Sequence, residues 1–369
     1  MINQNGLILL SEGLFTIGNY IMTDYIIIGS GLAGISFAET ALSNGKSIIV
    51  FDNNSQNSSK IAGGLYNPVI LKRFSKLQHA QEQLDMLQEF YVNLQKKIES
   101  QLNFKMPVLR KFFSIEEQNN WFAASDKIGL SEFLSTTLLT KKYNGIDSPY
   151  GYGEVLQTGY VDTGLLLNRY KDYLSVNGNY RNEAFDYDTI TFKEDYVLYQ
   201  DIEARHILFA EGFGLHANPF FKYLPLDGTK GELFIIKAPG LDLDVIVNTN
   251  VFILPLGNDL FKVGATYNWE DKTDLITDEG RAELIEKIDE ILDCEYEIVE
   301  QLAGVRPTVK DRRPLLGTHT DYPNLHILNG LGTRGVMLGP YMAKVLFNHI
   351  EFGIPLDREV DIHRYDKKN

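Results

Sequence analysis

Apolar and polar positions along residues 24–52 divide into short blocks. Tyr25-Ile26-Ile27-Ile28 is β-branched and aromatic without a polar break, the composition of a strand buried on both faces. Gly29-Ser30-Gly31-Leu32-Ala33-Gly34 interrupts it. Ile35, Ala38, Ala41 and Leu42 then recur at helical spacing, and Gly45 is a natural residue just past a helix end. A second apolar run, 47–51, ends at Asp52. The pattern predicts strand, glycine turn, helix and parallel strand.

The same reading continues downstream. Leu84, Leu87, Tyr91, Leu94, Ile98 and Leu102 fall at three- and four-residue steps and predict an amphipathic helix over 79–102. A strand is expected at 108–113, no single period emerges over 115–150, and a helix is expected over 163–175. Short strands with polar turns fill 181–200. Residues 205–210 form another buried parallel strand, ended by Glu211-Gly212-Phe213-Gly214. Four strands are expected at 232–236, 244–248, 251–254 and 260–263, with Asn258-Asp259 as a hairpin turn, and a helix at 281–292. This antiparallel stretch sits between pieces of a parallel-sheet domain. A last strand, 325–329, enters a second glycine turn, Gly330-Leu331-Gly332-Thr333-Arg334-Gly335, ahead of a helix over 340–351.

The first turn carries the chemistry. Gly29, Gly31 and Gly34 form G-x-G-x-x-G: the first for the tight turn, the second for backbone approach to a pyrophosphate, the third for close helix–strand packing. Asp52 lies about 20 residues on, where a carboxylate binds ribose hydroxyls. The competing reading is a glycine-rich turn without a nucleotide.

Composition narrows the classes. The chain has 369 residues and a net charge of −14, which disfavours nucleic-acid binding by the whole surface. The single cysteine, Cys294, excludes an intramolecular disulfide and points to a reducing, cytoplasmic setting. No Cys/His spacing suggests zinc, and no apolar run reaches the ~18 residues of a membrane span. Residues 1–21 lack the basic start and unbroken apolar core of a signal peptide, and Met22 is the expected biological start. Charge is uneven. Residues 60–76 hold Lys60, Lys72, Arg73 and Lys76 and no acid, and residues 301–340 hold five bases against two acids, a local +3.

The sequence resembles the D-amino-acid oxidase, glycine oxidase and sarcosine oxidase family of FAD-dependent oxidoreductases. The landmarks, in family order, are the first glycine turn with Asp52, Ala62-Gly63-Gly64 and Gly159-Tyr160-Val161-Asp162. They continue with Gly228-Thr229-Lys230-Gly231-Glu232-Leu233, Val263-Gly264-Ala265-Thr266, Ala303-Gly304-Val305-Arg306-Pro307-Thr308, Asp311–Gly317 and the Gly330–Gly335 turn. The resemblance implies an α/β fold: a discontinuous Rossmann-like FAD-binding domain (22–78, 152–220, 301–361) with an inserted α+β substrate domain on an antiparallel sheet (79–151, 221–300). It implies non-covalent FAD held by Gly29, Ser30, Gly31, Leu32, Ala33, Gly34, Asp52, Ala62, Gly63, Gly64, Leu65, Gly212, Gly332, Thr333, Arg334, Gly335 and Val336. It also implies hydride transfer from a carbon beside an amine nitrogen, imine hydrolysis, and oxygen or another acceptor for the electrons. Arg306, at the family's Gly-x-Arg-Pro motif, is the expected substrate-carboxylate residue, with Arg334 as a second catalytic candidate. A guanidinium suits a carboxylate because its planar fork pairs both oxygens. The alternative role of Arg306 is an ion pair with an acid such as Asp311.

Two departures bear on the substrate. Phe252 stands where glycine oxidase has a tyrosine that helps hold glycine. No cysteine follows Arg306 where some sarcosine oxidases attach flavin. The turns Gly64-Leu65-Tyr66-Asn67-Pro68 and Leu331–Gly335 also resemble the oxidase domain of the bifunctional tRNA 5-methylaminomethyl-2-thiouridine biosynthesis enzyme, which oxidises a carboxymethylamino group on a wobble uridine. A small amine or amino acid is therefore the expected substrate, tRNA the alternative, and an FAD-binding module without turnover a third reading.

Overall fold

The computed structural model describes residues 22–366, so the readings made on residues 1–21 lie outside the described residues. Strand Thr23–Ile28 is the centre of a sheet in which Tyr180–Arg181, Ile48–Phe51, Thr23–Ile28 and Ile202–Phe209 run parallel in that order. Leu325–Asn329 extends the sheet by pairing with the second half of Ile202–Phe209, and Leu315–Thr318 pairs antiparallel beyond it. Period two decides which core each side chain joins: Tyr25 and Ile27 pack on one face, Ile26 and Ile28 on the other. Helices Leu32–Ser43 and Gly335–Phe352 cover the first face and pack on each other.

The second sheet has eight strands in the order Glu297–Arg306, Thr229–Lys237, Leu260–Gly264, Phe252–Gly257, Ile246–Asn248, Val108–Lys111, Tyr152–Val155 and Leu134–Leu139. All neighbours are antiparallel except Ile246–Asn248 with Val108–Lys111. The hairpin at Asn258-Asp259 holds both residues at positive φ, 53° and 60°, as a tight two-residue turn demands. The sheet runs through Tyr152–Val155 and on to Arg306, past the boundaries expected at 151 and 300, because strand pairing rather than composition sets its edges.

Three expectations are corrected. The helix expected over 79–102 spans Ala80–Lys97; Gln95 Oε1 accepts from the backbone N–H groups of Leu102 and Asn103 at 2.7 Å and turns the chain back. The unassigned stretch after residue 114 contains helix Ile115–Ser125. Its start was visible as Ser114-x-x-Glu117: Ser114 Oγ accepts from Glu117 N, and Glu117 Oε2 accepts from the N–H of Phe113, one residue before the cap, at 2.9 Å. The last helix begins at Gly335 rather than 340, carrying Pro340 inside its first turns.

Candidate active site

The carboxyl edge of the parallel sheet and one end of the antiparallel sheet enclose a cavity of about 700 Å3. From the parallel sheet come Gly29, Gly31, Leu32 and Ala33 of the first turn, Asp52, Gly212, and Gly332, Thr333, Arg334, Gly335 and Val336 of the second turn. Ala62, Gly63, Gly64 and Leu65 form one wall. Gly231, Phe252, Tyr267 and Arg306 come from the antiparallel sheet and the loop after Leu260–Gly264. Ser30 and Gly34 are the two expected cofactor residues that do not line it.

Those two act on the turn itself. Ser30 donates through its backbone N–H (2.5 Å) and its hydroxyl (2.8 Å) to Asp52, which also accepts from Asn54 N at 2.5 Å, so the acid and the turn are locked together. At Gly34 a Cβ would sit 1.9 Å from the Gly29 carbonyl oxygen, so only glycine lets the helix approach the strand this closely.

Two helices begin at this cavity, and neither has a side-chain cap. Leu32–Ser43 starts from Gly31, and Gly335–Phe352 starts from Arg334. Each directs the positive end of a helix dipole at the cavity, and at the first start the Leu32 N–H donates to Ser59 Oγ at 3.2 Å. An elongated cofactor with an anionic pyrophosphate and an electron-accepting ring edge fits this pair of donors, the first start for the phosphates and the second for the ring. The lining contains no cysteine and no histidine among the described residues, and Cys294 lies against Gly145 and Gly240 instead.

Arg306 ends strand Glu297–Arg306 and lies across the neighbouring strand. A Cβ on Gly231 would meet its Nη2 at 2.0 Å, so the missing side chain is the space the guanidinium fills. Its Nη1 has only long contacts, to the carbonyls of Lys230 (3.4 Å) and Thr266 (3.3 Å), and the Tyr267 ring covers it at 4.6 Å. Burial lowers its pKa from the ordinary value. The alternative pairing with Asp311 is not made: that carboxylate accepts from Arg364 Nε at 3.0 Å and from the Tyr365 hydroxyl at 2.6 Å. Among the described residues no carboxylate lies within salt-bridge reach of Arg306.

Sequence reasoning missed Gly231 as a site residue, Tyr267, and Lys262, whose buried ammonium donates to the Ala62 carbonyl at 3.2 Å and braces the Ala62–Gly64 wall. Val69 and Leu71 reach the cavity, whereas Lys72, Arg73 and Lys76 do not. Lys76 is turned toward Phe133, with its ammonium 5.3 Å from the ring. Glu211 was read only as part of a strand end. It lines the cavity, accepts from Asn218 Nδ2 at 2.8 Å and from the Tyr187 hydroxyl, and burial pushes its carboxyl up to about 7. A carboxyl raised on folding keeps its proton better in the folded chain, so its contribution is intact below its unfolded value and lost as pH rises toward 7. Chemical denaturation of Glu211→Gln against the parent at stepped pH should show no pH-dependent gap below about pH 4.5. A gap of about 3 kcal/mol in favour of the variant should open by about pH 7 and stay level above it.

A fold that joins a parallel nucleotide-binding sheet to an antiparallel sheet over one cavity with two open helix starts defines a dinucleotide-binding redox protein. The sequence profile described as FAD dependent oxidoreductase matches residues 24–348, and the chain belongs to that family. It is 28% identical over 167 residues to a glycine oxidase of Bacillus licheniformis (42% of this chain, 44% of the relative). It is 27% identical over 173 residues to a tRNA 5-methylaminomethyl-2-thiouridine biosynthesis bifunctional protein of Aromatoleum aromaticum (41% of this chain, 27% of the relative). The chain thus matches less than half the length of these curated relatives. Among solved structures, iminodiacetate oxidase from Chelativorans sp. BNC1 superposes with a TM-score of 0.72 at 19% identity, covering 91% of this chain and 98% of that one. Glycine oxidase from Bacillus cereus gives 0.70 at 19% identity, covering 91% and 96%. At such identity these two establish the fold. Among the described residues no helix is long and apolar enough to cross a membrane.

Proposed function

We propose that the protein oxidises the carbon–nitrogen bond of a small carboxylated amine of the N-substituted glycine type. The observation that carries this reading is Arg306, a part-buried guanidinium with no carboxylate partner among the described residues, placed in the cavity wall by a glycine that makes room for it. A substrate carboxylate would complete the charge pair, and the planar fork would fix its orientation in the cavity. FAD, held along the Ala62–Gly64 wall, would supply the hydride acceptor for the carbon beside nitrogen, with oxygen or another acceptor taking the electrons and water hydrolysing the imine product.

The protein's own groups narrow the chemistry further. The carboxylates in the lining, Asp52, Glu183 and Glu211, all come from the parallel-sheet part of the cavity, whereas the antiparallel sheet contributes Arg306, Tyr267 and Phe252. No carboxylate base stands in the arginine-bearing wall, so the amine binds neutral. Phe252 offers no hydroxyl to a small amino acid, and its ring tip is the atom a Cβ on Gly63 would strike at 2.6 Å. An apolar wall there favours a substituted nitrogen over glycine itself. Non-covalent FAD accords with a lining that lacks cysteine and histidine.

A second reading, oxidation of a carboxymethylamino group on tRNA, is supported by likeness to the tRNA-modifying relatives and by Tyr267 and Trp269. These aromatics, 58% and 43% exposed, stand on the loop beside Arg306. Anaerobic flavin bleaching separates the readings. Rapid bleaching by sarcosine or another N-alkyl glycine supports the first, and bleaching only by tRNA carrying carboxymethylaminomethyluridine supports the second. Bleaching by dithionite alone would overturn both in favour of a module without turnover.

A further inference from the structure

A second cavity, of about 400 Å3, lies on the far face of the antiparallel sheet. Along strand Val108–Lys111, Val108 joins the core shared with the parallel-sheet part, and Leu109 joins the core on the opposite face. Period two places Lys111 on the same face as Leu109. Arg110, between them, is in register with Asn248, which lines the cofactor cavity. The sheet therefore separates the two cavities. Lys111 lines the second one and is only 5% exposed. Its ammonium stands 4.1 Å from the centre of the Phe113 ring, which lines the cavity too. Among the described residues it donates no hydrogen bond, and no carboxylate comes within salt-bridge reach. Glu117, on the next helix, is engaged elsewhere: it pairs with Arg110 at 3.4 Å and accepts from Phe113 N at 2.9 Å. The ring face attracts one side of the ammonium and leaves N–H donors unmet, which is costly away from water.

The rim has the opposite character. Asp147, Asp289, Glu290 and Asp293 line it, and all four are exposed. Among the described residues none of them forms an ion pair, and Asp289 accepts from the Tyr296 hydroxyl at 2.8 Å. Helix Asp278–Asp289 ends here, so the negative end of its dipole lies beside the same opening. The buried cation and the exposed carboxylates thus share one cavity without neutralising each other. A simple anion would meet Lys111 but be repelled by the rim. A simple cation would meet the rim but be repelled by Lys111.

We propose that this cavity is a second ligand site and that it takes a basic α-amino acid, with its carboxylate on the Lys111 ammonium and its cationic side chain among the rim carboxylates. Such a ligand carries both charges, and its surplus positive charge answers the rim's excess of acid. The volume falls in the range of small-molecule sites, about 300–1,000 Å3. Tyr150, Ile291 and Leu292 offer the ligand's methylene chain an apolar wall. The inference does not depend on what is oxidised in the first cavity.

The test is isothermal titration calorimetry of the oxidised holoenzyme with three probes. L-Arginine has both charged ends, agmatine lacks the carboxylate, and L-citrulline lacks the side-chain charge. Arginine should bind at least about tenfold more tightly than agmatine, the size expected of one charge-assisted pair with a buried partner. Lys111→Met, which fills the same space without a charge, should bring the ratio of those two dissociation constants close to one. Glu290→Gln combined with Asp293→Asn should lower the preference for arginine over citrulline about threefold, as exposed pairs contribute little each. Arg306→Gln should leave arginine binding unchanged, because that residue belongs to the other cavity. Agmatine equal to arginine in the parent protein, or no saturable binding of arginine up to about 10 mM, would overturn the site without need of any variant. An arginine-to-agmatine ratio that survives Lys111→Met would remove Lys111 from it. Loss of arginine binding in Arg306→Gln would move the ligand to the cofactor cavity and equally overturn the proposal.

Discussion

Arg306→Ala is expected to lower kcat/KM for a carboxylated amine by about 100-fold or more, mainly through KM, while leaving a decarboxylated analogue nearly unaffected. Truncating one partner of a buried, hydrogen-bonded charge pair costs about 2–5 kcal/mol, and each 1.36 kcal/mol is tenfold in rate. Arg306 qualifies because its surroundings have removed water without supplying a carboxylate, so the substrate bears the whole pairing. Losses of equal size on both substrates would end the carboxylate role. Gly231→Ala supplies an independent check from the neighbouring strand. Its Cβ would occupy a point 2.0 Å from Arg306 Nη2, so the guanidinium must leave its place, while the two glycine turns of the parallel sheet are untouched. The variant should therefore retain FAD and reproduce the substrate defect. Steady-state kinetics beside the FAD content of the purified protein would distinguish displacement of Arg306 from general misfolding.

Gly34→Ala is expected to damage the cofactor site severely with a single added methyl group. The added carbon would lie 1.9 Å from the Gly29 carbonyl oxygen and 2.9 Å from its carbon, both backbone atoms that no rotamer change can move. The helix must back away from the strand. Overpacking of this kind costs about 1–3 kcal/mol. It also pulls the N-terminal end of Leu32–Ser43 off the position that an anionic pyrophosphate would take. FAD affinity should fall by at least about tenfold, and the apoprotein should melt at a lower temperature. Titration of apoprotein with FAD, followed by fluorescence quenching, measures the first effect, and thermal melting measures the second. Parent-like values for both would mean that close helix–strand packing is not what the third glycine provides.

Local signals located the nucleotide-binding half well because each requirement is local. A strand buried on both faces needs an unbroken apolar run, and Tyr25–Ile28 supplies one whose alternate residues reach two different cores. The turn needs glycine where a Cβ would strike backbone, and Gly34 meets that need through a neighbour only five residues away. Helix Ile115–Ser125 carried a local start signal in Ser114-x-x-Glu117, but the mixed pattern after it gave no helical period and the helix was missed. The strand Glu297–Arg306 was not legible. Its first half is exposed and acidic, with Glu297 and Glu300 in sequence positions that read as a surface segment, and it is a strand because Thr229–Lys237 pairs with it along its length.

The arginines show the same division. Arg306, Arg312, Arg313 and Arg334 are alike as a basic cluster in sequence, and nothing local says which of them is neutralised. Glu359 and Asp311, brought close by the fold, sort them: the first pairs with Arg313, and the second is taken by Arg364. Arg306 remains in the cavity because a glycine 75 residues earlier leaves it room, and Tyr267 covers it from a loop whose position depends on the buried Lys230–Asp271 pair. By itself, the sequence determined the glycine turn, its following acid, the alternation of parallel and antiparallel segments and the family, since each is written in short-range spacing. Only the tertiary structure decided which cations are left without counter-charges and which walls enclose them, because burial and ion pairing are properties of segments that meet across the whole chain.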